Sequence, residues 1–136
     1  MRLMPVVGDV MTSAPVTVEI DAPVSAAQDL MIDHEIRHLP VLEASQLVGI
    51  ISDRDIAALE NDARSGSPAS QMTVRDLCSF DHYSVGSGAA LDEVLLEMAE
   101  RRIGSVVVSD GDKVLGVFTA TDACRVFAEH LRASLE

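Results

Sequence analysis

The stretch GIISDRD at Gly49–Asp55 returns later in the chain as GVFTATD at Gly116–Asp122. Both copies read glycine, two apolar residues, a hydroxyl residue, two variable residues and aspartate. The glycines, at 49 and 116, and the aspartates, at 55 and 122, are each separated by 67 residues. If this offset holds beyond the phrase itself, the two copies mark equivalent points of a duplicated unit.

The offset does hold over a long range. Residues 9–55 align with residues 76–122 without a gap, and the alignment keeps glycine, aspartate and hydroxyl positions as well as apolar ones. A shared apolar pattern can arise by chance, but a match that also keeps polar positions indicates a duplication. The identical pairs are Asp9/Asp76, Val18/Val85, Ala22/Ala89, Met31/Met98, Ile36/Ile103, Val41/Val108, Gly49/Gly116 and Asp55/Asp122.

Each copy predicts the same order of secondary structure. The segment PVTVEI alternates as a half-buried strand does, and helical spacing begins near Val24, with Asp21 as a candidate N-cap. Short apolar runs, HLPVL and SVVVS, then turn back as LVGII and VLGVF, and a helix follows each aspartate of the repeated phrase. The clearest helix has an apolar face at i, i+3, i+4 and i+7, formed by Leu91, Val94, Leu95 and Met98.

The predicted fold class is therefore α+β (mixed α/β), with two tandem repeats of strand–helix–strand–strand–helix. The repeats span residues 7–60 and 73–131, and residues 61–72 form a linker in which Gly, Ser and Pro concentrate. A unit of about 55 residues buries little apolar surface alone. We therefore expect the repeats to pack together with pseudo-twofold symmetry.

Composition excludes several classes of partner. Hydrophobic residues make up 48% of the chain, and the formal net charge is −12. This charge leaves no basic surface for nucleic acid and opposes binding to an anionic membrane. No apolar run approaches the roughly 20 residues of a membrane span, and no signal-peptide pattern is present. We expect a cytoplasmic protein with no nucleic-acid or membrane partner.

Neither cysteine nor histidine spacing indicates a metal site. Cys78 and Cys124 form no CxxC motif, and we expect both to be reduced and buried in the core. A zinc site needs four convergent ligands, whereas the histidines are scattered along the chain. The sequence therefore predicts no metal; the histidines are His34, His38, His82 and His130.

In each half the order of motifs resembles a CBS domain, and the whole resembles a CBS domain pair, or Bateman module. The resemblance covers about residues 7–131 and is carried by RHLPV, GIISDRD and GVFTATD. We expect a stand-alone CBS-domain protein.

The resemblance implies a regulatory module that binds an adenine nucleotide (AMP, ADP or ATP) in clefts between the repeats. Such a module modulates a protein partner in trans, forms a homodimer and requires no cofactor. Two alternatives stay open: another adenosyl ligand, such as S-adenosylmethionine or NAD, and a ligand-independent dimerisation scaffold. No nucleophile–base pair or paired catalytic carboxylates are visible, so we predict that the chain is not an enzyme.

By the same resemblance, Asp55 and Asp122 hold the ribose, and each cleft takes its other wall from the opposite repeat. At the Asp122 cleft the predicted ligand-binding residues are Thr119, Thr121, Thr12, Val16, Thr17, Ile36, Arg37 and His38. At the Asp55 cleft they are Ser52, Arg54, Ser79, Tyr83, Ser84, Ile103 and Ser105. Arg37 and His38 are suited to phosphate, so Asp122 is predicted to mark the stronger phosphate site.

The chemistry of the repeated phrase supports two roles. An ionised carboxylate has only acceptors, so it takes both hydroxyls of a ribose cis-diol. The same spacing, Ser52-x-x-Asp55 and Thr119-x-x-Asp122, is also that of a capping box, which helix initiation alone explains. The roles are compatible, and the sequence leaves both open.

Overall fold

The structure, a computed structural model, describes residues 3–13, 16–60 and 71–135. The chain divides into two compact units, here called the first unit (Val16–His82) and the second unit (Met1–Pro15 with Tyr83–Glu136). Both contain the predicted order strand–helix–strand–strand–helix, and the mixed α+β class is confirmed.

The first unit is built on a three-stranded sheet in the order β2-β3-β4, in which β2 pairs parallel to β3 and β3 pairs antiparallel to β4. Its elements are β2 (Val18–Glu19), α1 (Val24–His34), β3 (His38–Glu43), β4 (Gln46–Ser52), α2 (Asp53–Glu60) and α3 (Val74–Leu77).

The second unit has a four-stranded sheet in the order β1-β7-β6-β5. The two outer pairings differ in direction, since β1 is antiparallel to β7 and β5 is parallel to β6. A short 3-10 helix (Val7–Asp9) precedes β1. The other elements are β1 (Thr12–Ser13), β5 (Ser84–Val85), α4 (Leu91–Arg101), β6 (Ser105–Asp110), β7 (Lys113–Thr119) and α5 (Ala120–Ser134).

The sheet of each repeat is completed by the leading segment of the other repeat. In the second unit, the N-terminal β1 lies on β7, with Thr12 opposite Val117. In the first unit, Ser79 and Ile50 exchange two backbone hydrogen bonds, of 2.8 and 3.0 Å. The unit boundaries therefore differ from the repeat boundaries read along the chain, because these leading segments are exchanged.

The exchanged segments explain the glycine of the repeated phrase. A Cβ on Gly49 would lie 2.5 Å from the Ser79 carbonyl oxygen, and a Cβ on Gly116 would overlap the Thr12 carbonyl. Real Cβ atoms do not come so close to backbone atoms. Glycine is needed at both positions because a second backbone crosses directly over the strand.

The predicted helix face is confirmed. Leu91, Val94 and Met98 of α4 are buried in the core of the second unit, and Leu95 is partly buried against it. Within residues 3–13, 16–60 and 71–135, no helix has the length and apolarity needed to cross a membrane.

Two sequence expectations are wrong. The N-cap of α1 is Pro23 and not Asp21, whose carboxylate instead pairs with Arg75 at 3.1 Å. Cys124 is exposed on α5, where the helical periodicity turns it away from the core, whereas Cys78 is partly buried and packs against the core of the first unit. Burial raises the pKa of the Cys78 thiol.

Candidate functional site

Both aspartates of the repeated phrase lie in the first turn of a helix and close a capping box. Asp55 Oδ2 accepts hydrogen bonds from the Ser52 amide at 2.8 Å and the Ser52 hydroxyl at 3.0 Å. Asp122 Oδ2 accepts the equivalent bonds from Thr119, at 2.9 and 3.2 Å. In each box the hydroxyl also accepts the aspartate's own amide, at 3.3 Å. One carboxylate oxygen in each copy is thus committed to helix initiation.

The second oxygen of Asp122 is also occupied. The Thr12 hydroxyl donates to Oδ1 at 3.0 Å, and the Arg125 guanidinium lies 3.6 Å from the same atom. Arg125 further donates to the Val10 carbonyl at 3.1 Å. Asp122 is only 7% exposed, so little of this carboxylate is accessible to solvent.

Asp55 differs at this second oxygen. Within the part of the chain that the structure describes, no hydrogen bond or ion pair reaches Asp55 Oδ1. Ser79 is the repeat equivalent of Thr12. Its backbone is hydrogen-bonded to Ile50 of β4, whereas its hydroxyl forms no hydrogen bond to any described residue. Asp55 is also more exposed than Asp122. It therefore retains an acceptor for an incoming donor.

Within the first unit, the structure places Arg37 and His38 beside the phrase that ends at Asp55. In the antiparallel β3–β4 hairpin His38 lies opposite Ser52, and the Arg37 carbonyl accepts the Asp53 amide at 2.9 Å. A hairpin brings the start of one strand to the end of its partner. The aspartate that follows β4 is therefore close to the residues that begin β3.

The same register holds in the second unit. Ser105 lies opposite Thr119, and the Gly104 carbonyl accepts the Ala120 amide at 2.9 Å. Gly104 and Ser105 thus neighbour the Asp122 phrase of their own unit. Within its own unit, the Asp55 phrase therefore adjoins a basic pair, whereas the Asp122 phrase adjoins Gly104 and Ser105.

His38 lies in a mixed electrostatic environment. Burial is the main influence and lowers its pKa; Asp53 and Asp55 oppose this shift, whereas Arg54 and Arg37 reinforce it. The imidazole is therefore predominantly neutral at pH 7. The two arginines that act on this imidazole, together with His38, are here called the basic cluster (Arg37, His38 and Arg54); the carboxylates of Asp53 and Asp55 act on the same imidazole.

This lowered pKa predicts a loss of stability in mild acid. Below pH 6.5, the ordinary histidine value, the unfolded chain takes up a proton that the buried imidazole resists, so the free energy of unfolding decreases as the pH falls. We expect His38→Gln to flatten this dependence between pH 6.5 and 5. Urea unfolding at several pH values measures the effect, and His34→Gln, at an exposed position, is the matched control. Equal slopes in wild type and His38→Gln would contradict the prediction.

The remaining predicted residues divide between the units. Val16 and Ile36 pack against the core of the first unit, and Thr17 belongs to the same unit. Ile103 and Tyr83 pack against the core of the second unit. Ser84 and Thr121 belong to the same unit. The Arg101 guanidinium lies over the Tyr83 ring, 4.7 Å from the ring centroid. Burial is the main cause that raises the pKa of the Tyr83 hydroxyl.

Arg125 was missed by the sequence analysis. Its signal is a basic residue three positions after Asp122 on the same helix, where side chains are neighbours.

No group of three or more His, Cys, Asp or Glu side chains suited to a metal occurs in the described ranges.

A model of the CBS domain matches residues 7–61 and again residues 74–129, and the chain therefore belongs to the CBS domain family. It carries two such domains. The solved CBS domain pair of protein MJ0100, in complex with 5′-methylthioadenosine and S-adenosyl-L-methionine, is 27% identical with a TM-score of 0.82; the match covers 94% of this chain and 99% of that one. The Vibrio cholerae protein AcuB is 30% identical with a TM-score of 0.79, over 97% and 96%.

Among curated relatives, hypoxic response protein 1 of Mycobacterium tuberculosis is 28% identical over 90% of this chain and 85% of its own length. Other relatives are much longer enzymes. This chain spans only 23% of L-aspartate semialdehyde sulfurtransferase from Methanocaldococcus jannaschii, at 28% identity, and 21% of inosine-5′-monophosphate dehydrogenase from Korarchaeum cryptofilum, at 32%. The likeness therefore concerns only part of each enzyme.

Proposed function

We propose that the chain is a regulatory module that binds an adenine nucleotide at Asp55 and thereby changes its contact with a protein partner. The observation that carries the proposal is Asp55 Oδ1, which no described residue contacts by a hydrogen bond or ion pair, beside the basic cluster. The carboxylate supplies acceptors for a ribose cis-diol. The adenosyl ligands bound by the MJ0100 pair support an adenosine moiety.

The basic cluster favours a nucleotide over the other adenosyl ligands. Arg37 and Arg54 carry permanent charge, and His38 gains charge beside an anion. A phosphate complements these groups, whereas the sulfonium of S-adenosylmethionine is cationic and 5′-methylthioadenosine has no anionic group. We therefore rank AMP, ADP and ATP above both, and we reverse the ranking predicted from sequence: Asp55, not Asp122, marks the stronger phosphate site.

A thermal-shift panel tests the proposal. We expect AMP, ADP or ATP at 100 times its Kd to add about 2.7 kcal/mol to the free energy of unfolding. The matched controls are 2′-deoxy-AMP, which lacks one hydroxyl of the diol, and S-adenosylmethionine, which carries the opposite charge. If no adenosine compound raises the melting temperature, the proposal is wrong. A larger rise with S-adenosylmethionine than with any nucleotide would identify S-adenosylmethionine as the ligand.

A second function, a dimerisation scaffold, is favoured by the outer face of α5. Phe127 and Leu131 of α5 and Leu135, which directly follows the helix, are 61%, 48% and 88% exposed, and their i, i+4, i+8 spacing favours one side of the helix. Exposed apolar stripes of this kind mark protein contacts. We propose a homodimer formed through this α5 stripe, with or without a bound ligand.

We expect Phe127→Asp to convert the dimer to monomer, because a buried unpaired carboxylate opposes association. Sedimentation velocity over a concentration range measures the change. Glu129→Asp, on the same helix and outside the α5 stripe, should leave the dimer intact. A wild-type chain that remains monomeric at high micromolar concentration would rule the scaffold out.

A further inference from the structure

The two aspartates have the same capping box but differ in their access for a ribose. In the second unit, Thr12 donates its hydroxyl to Asp122 Oδ1 at 3.0 Å and also lies 3.3 Å from Oδ2. This is the type of contact that a sugar hydroxyl makes with a carboxylate. In the first unit, the equivalent Ser79 leaves Asp55 Oδ1 open among the described residues. The difference comes from one side chain on the exchanged segment.

We propose that the Thr12 hydroxyl is an intramolecular competitor for ribose at Asp122, so that a nucleoside binds there only when strand β1 releases the carboxylate. The inference rests on the proposed function, because it takes the aspartates of the repeated phrase to be ribose acceptors. It gives Thr12 the opposite role to a ligand contact: its removal strengthens binding.

Strand β1 is suited to such release. It has two residues, pairs with one edge of the sheet through Thr12 and Ser13, and presents an exposed Thr12. Each contact with Asp122 that is lost to a ribose therefore weakens a short and peripheral element. Ligand at Asp122 and order of the N-terminal segment become linked equilibria, each opposing the other.

Arg125 extends the link. Its guanidinium contacts both the Asp122 carboxylate, at 3.6 Å, and the Val10 carbonyl of the N-terminal segment, at 3.1 Å. Release of the segment frees this donor next to the helix N-terminus. A phosphate attached to the ribose would then contact the Arg125 guanidinium, which otherwise donates to the Val10 carbonyl.

The test measures AMP binding by isothermal titration calorimetry in an Asp55→Asn background, which leaves Asp122 as the site in question. Asparagine keeps an acceptor oxygen for the Ser52 cap, so α2 is retained. We expect Thr12→Val to raise the affinity about tenfold, since the ligand no longer displaces a hydrogen bond to a charged group. Thr12→Ser, which keeps the hydroxyl, should match the Asp55→Asn parent.

Amide hydrogen exchange supplies a second readout. AMP should accelerate exchange at Met11 and Thr12 in the Asp55→Asn protein, because the ligand detaches β1. Slower exchange there, or an affinity in Thr12→Val/Asp55→Asn that is equal to or below the parent, would overturn the inference and make Thr12 a ligand contact or a bystander. If Asp122→Asn still binds AMP in that case, the proposed function survives; if no protein binds, wild type included, both fall.

Discussion

Asp55→Asn should weaken AMP binding by about a hundredfold, whereas Asp122→Asn should change it less than threefold. The substitution keeps the size and one acceptor of the side chain but removes the charge that takes the ribose hydroxyls. Hydrogen bonds to charged groups contribute about 1.5–3 kcal/mol each, and 2.7 kcal/mol corresponds to a hundredfold. Asp122 has no comparable effect because Thr12, Thr119 and Arg125 already engage it.

Isothermal titration calorimetry at constant salt measures both variants, and thermal unfolding without ligand confirms that each is folded. Asp122→Asn is a matched control because it alters the same position of the same capping box in the other repeat. Equal losses in the two variants would indicate two equivalent sites. A larger loss in Asp122→Asn would restore the ranking predicted from sequence and contradict the one proposed from the geometry.

Gly49→Ala and Gly116→Ala should each lower the free energy of unfolding by about 2 kcal/mol. The added Cβ meets the backbone carbonyl of Ser79 in one unit and of Thr12 in the other, and backbone cannot give way as a side chain can. Overpacking of this kind costs about 1–3 kcal/mol, more than the reduced flexibility of alanine returns.

Urea unfolding measures the loss, and Gly88→Ala is the matched control because no atom lies within 4 Å of its added Cβ. We expect that control to remain within about 0.5 kcal/mol of wild type. Amide exchange should also accelerate selectively at Met11 and Thr12 in Gly116→Ala, and at Cys78 and Ser79 in Gly49→Ala. Unchanged stability in both variants would show that the exchanged segments do not cross the strands as described.

Much of the fold could be predicted from the repeated phrase, because each of its residue types has a role in local structure. The apolar pair forms the end of a strand, and the hydroxyl and aspartate form the capping box found at Ser52/Asp55 and Thr119/Asp122. Apolar spacing identified the buried face of α4. These features depend on neighbours one to seven residues apart, which a sequence displays directly. The duplication itself was equally visible.

The candidate site was predicted less completely. The two aspartates of the repeated phrase were singled out from the sequence, but the contact of Arg37 and His38 with the Asp55 phrase was not predicted. The hairpin that joins β3 to β4 contains the information needed to predict this contact, since an antiparallel return brings His38 to Ser52. Comparing the repeats by alignment gave equivalence between positions and said nothing about which of them are neighbours in space.

The sequence by itself determined a duplicated α+β chain of the CBS family, with a carboxylate in the first turn of one helix in each repeat. Only the tertiary structure decided that Thr12 donates to Asp122 while one oxygen of Asp55 has no hydrogen-bond partner among the described residues. The physical reason is distance along the chain: Thr12 and Asp122 are 110 residues apart and meet through the exchange of the N-terminal segment. Local patterns record propensity, but a contact of that range depends on which segment completes which sheet.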